Sequence, residues 1–219
     1  MAYQIIDAPQ RSSEWFTARL GRLTASDAGK MLAKGEGKTR NGLRDRLVAE
    51  RLTGKLAEEG YTNADMERGI ELEPVAREAY VKRTGYDVSL VGFLQDTEHM
   101  AGASPDGVLG DMEGLIEIKC PRTPKHLSYL NAGEPPSEYR PQLLHQLWIS
   151  GAAYVDFVTF DPWLPKHLRL GIFRLNRSES QIATYEREAL AFLREVETTT
   201  DAWLTMADPV AQMREVVGL

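Results

Sequence analysis

Residues 103–121 read ASPDGVLGDMEGLIEIKCP, and the pattern of this stretch decides the fold that we expect. Asp106 lies in a tight Ser-Pro-Asp-Gly turn, and the short apolar run that follows carries Glu117 and Lys119. Side chains alternate between the two faces of a β-strand. Glu117 and Lys119 are therefore predicted to share one face, while the isoleucines that flank Glu117 occupy the other. One face can hold charge while the opposite face packs.

The two acids and the lysine together suit hydrolysis assisted by a divalent metal. Carboxylates such as Asp106 and Glu117 bind a hard cation like Mg2+ through oxygen, and they leave positions for water and a phosphate oxygen. A metal in such a site lowers the pKa of its bound water and offsets charge on the scissile phosphate. Lys119 would orient or help deprotonate the attacking water and stabilise the developing charge.

Each half of this pattern also has a purely structural interpretation. Asp106 can make an Asx-type turn before Gly107, and Glu117 with Lys119 can form a solvated pair on a half-exposed strand. The combination is more specific than its parts, because Pro105-Asp106, a ten-residue gap and Glu117-Ile118-Lys119 together match the PD-(D/E)xK nuclease pattern. The combination therefore favours the catalytic interpretation.

Composition places the chain among ordinary globular proteins. Its 219 residues are 42% apolar and 26% charged, which predicts a single domain over residues 1–219. No segment has the uninterrupted apolar length of a membrane span, and residues 1–10 lack the pattern of a signal peptide, so we expect a cytoplasmic protein. The single cysteine, Cys120, excludes an intrachain disulfide and a cysteine-rich metal site.

Charge is unevenly distributed along the chain. The formal net charge is -6, but residues 1–55 carry 11 Lys and Arg against 6 Asp and Glu. If DNA binds, this positive segment is expected to supply much of the cationic surface. Part of it, the sequence KGEGKTR at 34–40, is either a flexible connector or a contact to the DNA backbone. The alternative for the segment as a whole is a solvated amphipathic helix.

The N-terminal part of this segment also predicts an anion site. A short helix is expected from Ser13 to Leu20, with its aromatic residues as core anchors, and the sequence Thr24-Ala25-Ser26-Asp27 is typical of the capped start of a second helix. Free backbone N–H groups at such a start can receive a phosphate. Arg19 and Ser26, with Arg22 as a further candidate, would join them in a compact site.

A long helix is predicted from about Ala64 to Thr84, with Gly85 as its stop. Helical spacing places Glu73 on the same face as Ala76 and Tyr80. By this pattern alone Glu73 is either an ordinary surface acid, which general burial rates favour, or a third acid turned toward the metal.

The remaining pattern predicts an α/β chain with a mixed sheet and flanking helices. Strands are expected at 86–94, 100–109, 114–120, 153–160 and 168–175, and further helices at 42–52, 141–150 and 178–198.

Four stretches, taken in order, resemble the phage lambda exonuclease family, also called the YqaJ-type viral recombinases, within the PD-(D/E)xK superfamily. They are Glu14-Trp15 through Arg19-Leu20-Gly21 with Thr24-Ala25-Ser26; Arg68-Gly69 with Glu73 and Ala76-Arg77; Ser104-Pro105-Asp106-Gly107 with Glu117-Ile118-Lys119-Cys120-Pro121; and Tyr139 to Trp148, which contains Gln142. The resemblance implies a restriction-endonuclease-like core, in which a mixed central sheet is flanked by helices.

The resemblance also implies a function. It implies a Mg2+-dependent exonuclease, with Mn2+ as a possible substitute, that digests one strand of linear double-stranded DNA from its 5′ end. The 3′ overhang would serve a single-strand annealing protein in recombination. A ring-shaped homotrimer with no membrane association is implied as well.

Site roles follow from the same resemblance. Asp106 and Glu117, with the main-chain carbonyl of Ile118, would ligate the metal. Lys119 would be the catalytic lysine. Glu73 would be the additional acid, which changes the interpretation drawn from its helical pattern alone.

Further positions would bind DNA. Arg19, Ser26, Ser104 and Gln142 would hold the terminal 5′ phosphate. The family uses an apolar wedge ahead of its helix glutamate to part the strands, and Met66 is the nearest candidate here; a core methionine is the alternative.

Two other functions are compatible with these residues. The first is a RecB-type endonuclease or repair nuclease module, although Gln146 stands where such nucleases often have a tyrosine, and it receives no role. The second is a noncatalytic DNA-end-binding scaffold. The presence of Asp106, Glu117 and Lys119 together disfavours the scaffold, because binding alone does not require all three.

Overall fold

A computed structural model of the chain describes residues 3–34, 37–57 and 64–206. Seven α-helices span Ser13–Arg19 (α1), Ala28–Met31 (α2), Lys38–Thr53 (α3), Ala64–Thr84 (α4), Thr123–Ala132 (α5), Arg140–Ser150 (α6) and Glu179–Leu204 (α7) within these residues. Nine strands span Tyr3–Ile6 (β1), Leu23–Thr24 (β2), Val88–Ser89 (β3), Phe93–Asp96 (β4), Ala101–Ala103 (β5), Gly107–Leu109 (β6), Gly114–Lys119 (β7), Tyr154–Phe160 (β8) and Leu170–Asn176 (β9). Two short 3-10 helices, Ala25–Asp27 and Lys166–Leu168, complete the described elements.

The strands form two mixed sheets, which confirms the α/β class but divides the predicted central sheet in two. The smaller sheet has the order β1-β4-β5-β2, and the larger has the order β3-β6-β7-β8-β9. In the larger sheet β7 lies at the centre, antiparallel to β6 and parallel to β8. The strand that carries the predicted catalytic residues is therefore hydrogen-bonded on both edges.

The two faces of β7 pack against different helices, as the alternating sequence predicts. Ile116 and Ile118 join a cluster with Ala76 and Tyr80 of α4. On the other face Leu115 joins the main core, which is lined by α3, α6 and α7. This separation confirms the predicted alternation along β7.

Two predicted strands are each divided between the sheets. The segment 100–109 forms β5 in one sheet and β6 in the other, and the turn between them carries Asp106. Pro105 cannot donate to a ladder, so pairing stops there. The segment 86–94 is interrupted near Gly92, where an added Cβ would lie 2.3 Å from the carbonyl oxygen of Ile6. Only glycine permits this close approach of two backbones.

Helix α4 matches its predicted bounds, and Gly85 follows it in the left-handed conformation with φ of 74°. Helix α3 begins at Lys38, four residues before its predicted start, so the end of the predicted 34–40 loop is helical and residues 35–36 lie outside the described ranges. Helix α1 is also present, but each of its residues keeps part of its surface exposed, and Phe16 is 38% exposed. The prediction that its aromatic residues anchor the core is wrong for Phe16.

Within the described residues, no helix combines the length and apolarity needed to cross a membrane.

A buried histidine makes the fold sensitive to acid. His145 of α6 is fully buried between the Tyr185 hydroxyl, 2.7 Å from Nδ1, and the Gly102 carbonyl, 3.0 Å from Nε2. Burial lowers its pKa from 6.5 to about 4. Below pH 6.5 the unfolded chain takes up a proton that the folded chain accepts only near pH 4, so stability is lost as the pH falls through this window.

We expect the free energy of unfolding in urea to fall by about 2 to 3 kcal/mol between pH 7.5 and 4.5 because of His145 alone. The measurement compares the wild type with His145→Gln, which removes this titration. The variant should lose less stability over the same interval. Parallel pH profiles for the two proteins would contradict the assignment.

Candidate active site

The site is built where the turn between β5 and β6 meets the end of β7. Asp106 sits on that turn, and its Oδ2 accepts a hydrogen bond of 2.7 Å from the Ile118 backbone N–H. Its own N–H donates to the Ile116 carbonyl at 3.1 Å. These two bonds fix the Asp106 carboxylate against β7, close to Glu117 on the same strand.

Glu117 is buried, with 2% of its surface exposed, and three side chains hold its carboxylate. Oε1 accepts hydrogen bonds from Lys119 Nζ and from Gln142 Nε2, the latter at 2.6 Å. Oε2 accepts one from Gln146 Nε2 at 2.5 Å. Lys119 therefore shares a face and a contact with Glu117, as predicted, and α6 places two glutamines one turn apart on the same group.

Glu73 approaches from α4, on the opposite side of the sheet. Its carboxylate pairs with Arg77 one turn later, and Arg11 lies 3.7 Å away. Arg77 Nε also donates to the main-chain oxygen of Asp106 at 3.1 Å. Arg77 thus joins the predicted additional acid to the turn that carries Asp106.

Burial and the neighbouring acids raise the proton affinity of Asp106. Loss of solvent around Asp106 is the main cause that raises its pKa well above the usual value, and the charges of Glu117 and Glu73 add to it. Burial opposes charge on Lys119, but the carboxylates of Glu117 and Asp106 outweigh burial and raise its pKa. Lys119 is therefore a cation at neutral pH when no metal is bound.

A divalent metal fits this donor set. Asp106 and Glu117 bring hard oxygen ligands together, and a bound cation would offset the repulsion from Glu117 that adds to burial in raising the Asp106 pKa. Beside Glu117, Gln146 Oε1 is buried with no hydrogen-bond partner among the described residues. Within those residues no group of three or more His, Cys, Asp or Glu side chains is placed for a metal. The two carboxylates and the Ile118 carbonyl are the set that would hold it.

Three of the four residues predicted to bind phosphate form one cluster, linked through Trp15 and Thr24. The Arg19 guanidinium lies 4.0 Å from the centre of the Trp15 ring, and Trp15 Nε1 donates to Ser104 Oγ at 2.8 Å. Arg19 also lies 3.4 Å from Thr24 Oγ1, which is 3.2 Å from Ser26 Oγ. Ser104 is two residues before Asp106 in the sequence, so this cluster adjoins the carboxylates.

The fourth, Gln142, contacts Glu117 instead, so the structure places it with the predicted metal ligands. Its binding of a phosphate stays a prediction.

A network of charged residues lies close to Arg19 and acts on its charge. Arg46 of α3 bridges Asp27 at 2.8 Å and Glu50 at 2.9 Å, and Glu50 accepts the Gly21 N–H at 2.9 Å. Burial lowers the Arg19 pKa to about 10, while Asp27 acts in the opposite direction. Arg19 thus keeps its positive charge at neutral pH.

The first turns of α4 carry Met66 and Arg68, and Arg68 contacts the chain just after β7. Met66, the predicted wedge, is 48% exposed, which disfavours the alternative of a core methionine. Arg68 donates to the main-chain oxygens of Cys120 at 3.0 Å and Pro121 at 3.2 Å. This residue ties α4 to the chain that leaves β7.

Three residues that shape the site were not among the predicted site residues. Gln146 and Arg77 contact the acids directly, and Trp15 connects Arg19 to Ser104. Gln146 lies four residues from Gln142 on a predicted helix, and Trp15 and Arg77 lie in stretches that resemble the family, so each had a signal in the sequence.

Comparison with known proteins gave a consistent set of matches. The model of the YqaJ-like viral recombinase domain matches residues 14–153. The chain is 40% identical to the alkaline exonuclease LHK-Exo from Laribacter hongkongensis, whose structure has also been solved in complex with dAMP. That match covers 88% of this chain and 96% of the other, with a TM-score of 0.81.

A phage related exonuclease from Haemophilus somnus 129PT shares the fold at a TM-score of 0.61. It is 16% identical, over 83% of this chain and 96% of that one. A search of curated proteins found no match.

Proposed function

The chain belongs to the YqaJ-like viral recombinase domain family, and from this premise we propose that it is a metal-dependent exonuclease that digests one strand of linear double-stranded DNA. The observation that carries the proposal is the convergence of Asp106, Glu117 and Lys119 at one end of β7. A buried acid, a partly buried acid and a cation gathered in one place are costly for a purely structural role. The same arrangement suits hydrolysis of a phosphodiester.

Each residue has a distinct proposed role. Asp106, Glu117 and the Ile118 carbonyl would hold Mg2+, for which Mn2+ would substitute. When bound, the metal would supply a water of lowered pKa and a countercharge for the phosphate. Gln142 and Gln146 hold the Glu117 carboxylate by one hydrogen bond on each oxygen, so its orientation is set before substrate arrives.

Lys119 is proposed to stabilise charge rather than to accept a proton. Its pKa is raised by the neighbouring carboxylates, so its ammonium group stays protonated in the absence of metal. A fixed cation beside the scissile phosphate stabilises the negative charge that develops on its oxygens. Glu73 is proposed as the additional acid, held by Arg77 at the Asp106 turn.

We further propose that digestion runs from the 5′ end and leaves a 3′ overhang. A terminal phosphate carries more charge than an internal diester and accepts more hydrogen bonds. Arg19, Ser26 and Ser104 form a polar cluster beside the carboxylates that suits such a group, and Gln142 would complete it from α6. Met66 is proposed as the wedge that parts the strands.

Two properties of the proposed enzyme rest on family membership. They are a homotrimeric ring around the duplex and a single-strand annealing protein as the recipient of the overhang. A cytoplasmic location stays a prediction from the sequence. A closed ring would keep the duplex threaded between cuts.

Incubation of the full chain with Mg2+ and linear duplex labelled at one 5′ or one 3′ end tests the proposal. We expect early release of the 5′ label as mononucleotide and slow release of the 3′ label. Covalently closed circles should stay intact. Cutting of circles would indicate an endonuclease instead, and binding of linear ends with no release would indicate a noncatalytic scaffold.

A further inference from the structure

An exposed tryptophan stands beside the active site on a loop that the proposed chemistry does not use. Trp163 is 68% exposed and lies between β8 and the 3-10 helix Lys166–Leu168. Its backbone N–H donates to Asp161 Oδ1 at 3.2 Å, and Asp161 is itself fully buried. This bond holds the backbone at Trp163, while most of the side chain faces solvent.

Arg68 holds one face of the Trp163 ring. The guanidinium carbon lies 4.2 Å from the ring centre, and the same guanidinium contacts Asp161 and the main-chain oxygens of Cys120 and Pro121. A cation over one face of an indole orients the ring. Because Cys120 directly follows Lys119, one guanidinium group connects the ring to the end of the catalytic strand.

The surroundings favour a polyanion with planar groups. The loop at 161–169 carries Lys166 and Arg169, and its one acid, Asp161, is buried against Arg68 and Thr123. The positive charge that this leaves attracts a phosphate backbone. An oriented indole with an open face stacks on a nucleobase of any sequence.

We propose that Trp163 is a stacking platform for an unpaired nucleobase of DNA at the entrance of the active site. The inference rests on the proposed function, because it takes DNA as the ligand. It extends that function by assigning a contact to the single-stranded part of the substrate, outside the carboxylates and the Arg19 cluster. Arg68 acts as the positioning residue for the ring.

Fluorescence titration of the full chain with a single-stranded oligonucleotide, in a metal chelator so that no cutting occurs, tests the platform. Stacking should quench part of the tryptophan emission. In Trp163→Phe this quenching should be largely lost, while affinity is mostly kept because phenylalanine also stacks. In Trp163→Ala and Trp163→Leu the dissociation constant should rise about tenfold to a hundredfold.

Trp203 provides the matched control, since it is 54% exposed but lies near the end of α7. Trp203→Phe should keep both the quenching and the affinity. Circular dichroism and thermal unfolding of each variant establish that the fold is intact.

The proposal is overturned if the wild type does not bind the oligonucleotide, if quenching survives in Trp163→Phe, or if Trp163→Leu binds as tightly as the wild type. A change in mass by light scattering in Trp163→Ala, with unchanged DNA affinity, would also overturn it and assign the ring to a protein interface. Failure of the proposed function has a different signature: absence of nucleotide release by the wild type in Mg2+, which the binding assay does not involve.

Discussion

Glu117→Gln is expected to reduce Mg2+-dependent release of nucleotides from linear duplex by about a thousandfold or more. The substitution keeps the shape of the side chain but removes the charge that would bind the metal and pair with Lys119. A loss of several kcal/mol in stabilisation of the transition state corresponds to this factor. Initial rates on end-labelled duplex measure it, and circular dichroism checks the fold.

Glu113→Gln is the matched control for this result. Glu113 lies in the exposed turn just before β7, so the same chemical change there should leave the rate near that of the wild type. Asp106→Ala and Lys119→Ala should also abolish cleavage. Because all three residues serve one arrangement, the double variants should be hardly worse than the single ones. Near-normal turnover in any two of the three single variants would refute the site.

Arg19→Ala is expected to reduce the preference for 5′-phosphorylated over 5′-hydroxyl ends by about tenfold to a hundredfold. One charge-assisted hydrogen bond to the terminal phosphate is worth about 1.5 to 3 kcal/mol. Arg19→Lys keeps the charge but loses the two-pronged guanidinium, so it should show an intermediate preference. Rates of digestion of two duplexes that differ only in the 5′ group measure the effect.

The control for Arg19 is Arg44→Ala, which removes an arginine from α3 that pairs with its neighbour Asp45. It should leave the preference unchanged. If Arg19→Ala slows both kinds of end equally, or neither, then Arg19 serves the end of α1 rather than the DNA.

Structural features that depend on residues close together in the sequence could be predicted from the sequence alone. The alternation of β7 placed Glu117 and Lys119 on one face, and Gly85 marked the end of α4. The four short stretches that resemble the phage lambda exonuclease family led to a family assignment that the matches confirm.

Contacts between residues that are far apart in the sequence could not be predicted from local sequence patterns. Gln146 donates to Glu117, which is 29 residues away in sequence, and only the packing of α6 across the sheet brings them together. Trp15 reaches Ser104 over 89 residues in the same way. The aromatic residues of α1 were predicted to anchor the core, yet Phe16 is 38% exposed, because the burial of a short helix depends on how it packs against the rest of the fold.

Recognition of the DNA end is proposed for a residue near the end of α1, and hydrolysis is proposed for residues of β7. These two elements differ in how much of their surface is buried. Every residue of α1 retains solvent contact, whereas β7 is paired on both edges and nearly all of it is buried. Segments with little buried surface open at low free-energy cost, and central strands open only when the whole domain unfolds. We therefore expect the segment that carries Arg19 to open more readily than the strand that carries Glu117. Warming should erode the choice of DNA end before it erodes hydrolysis.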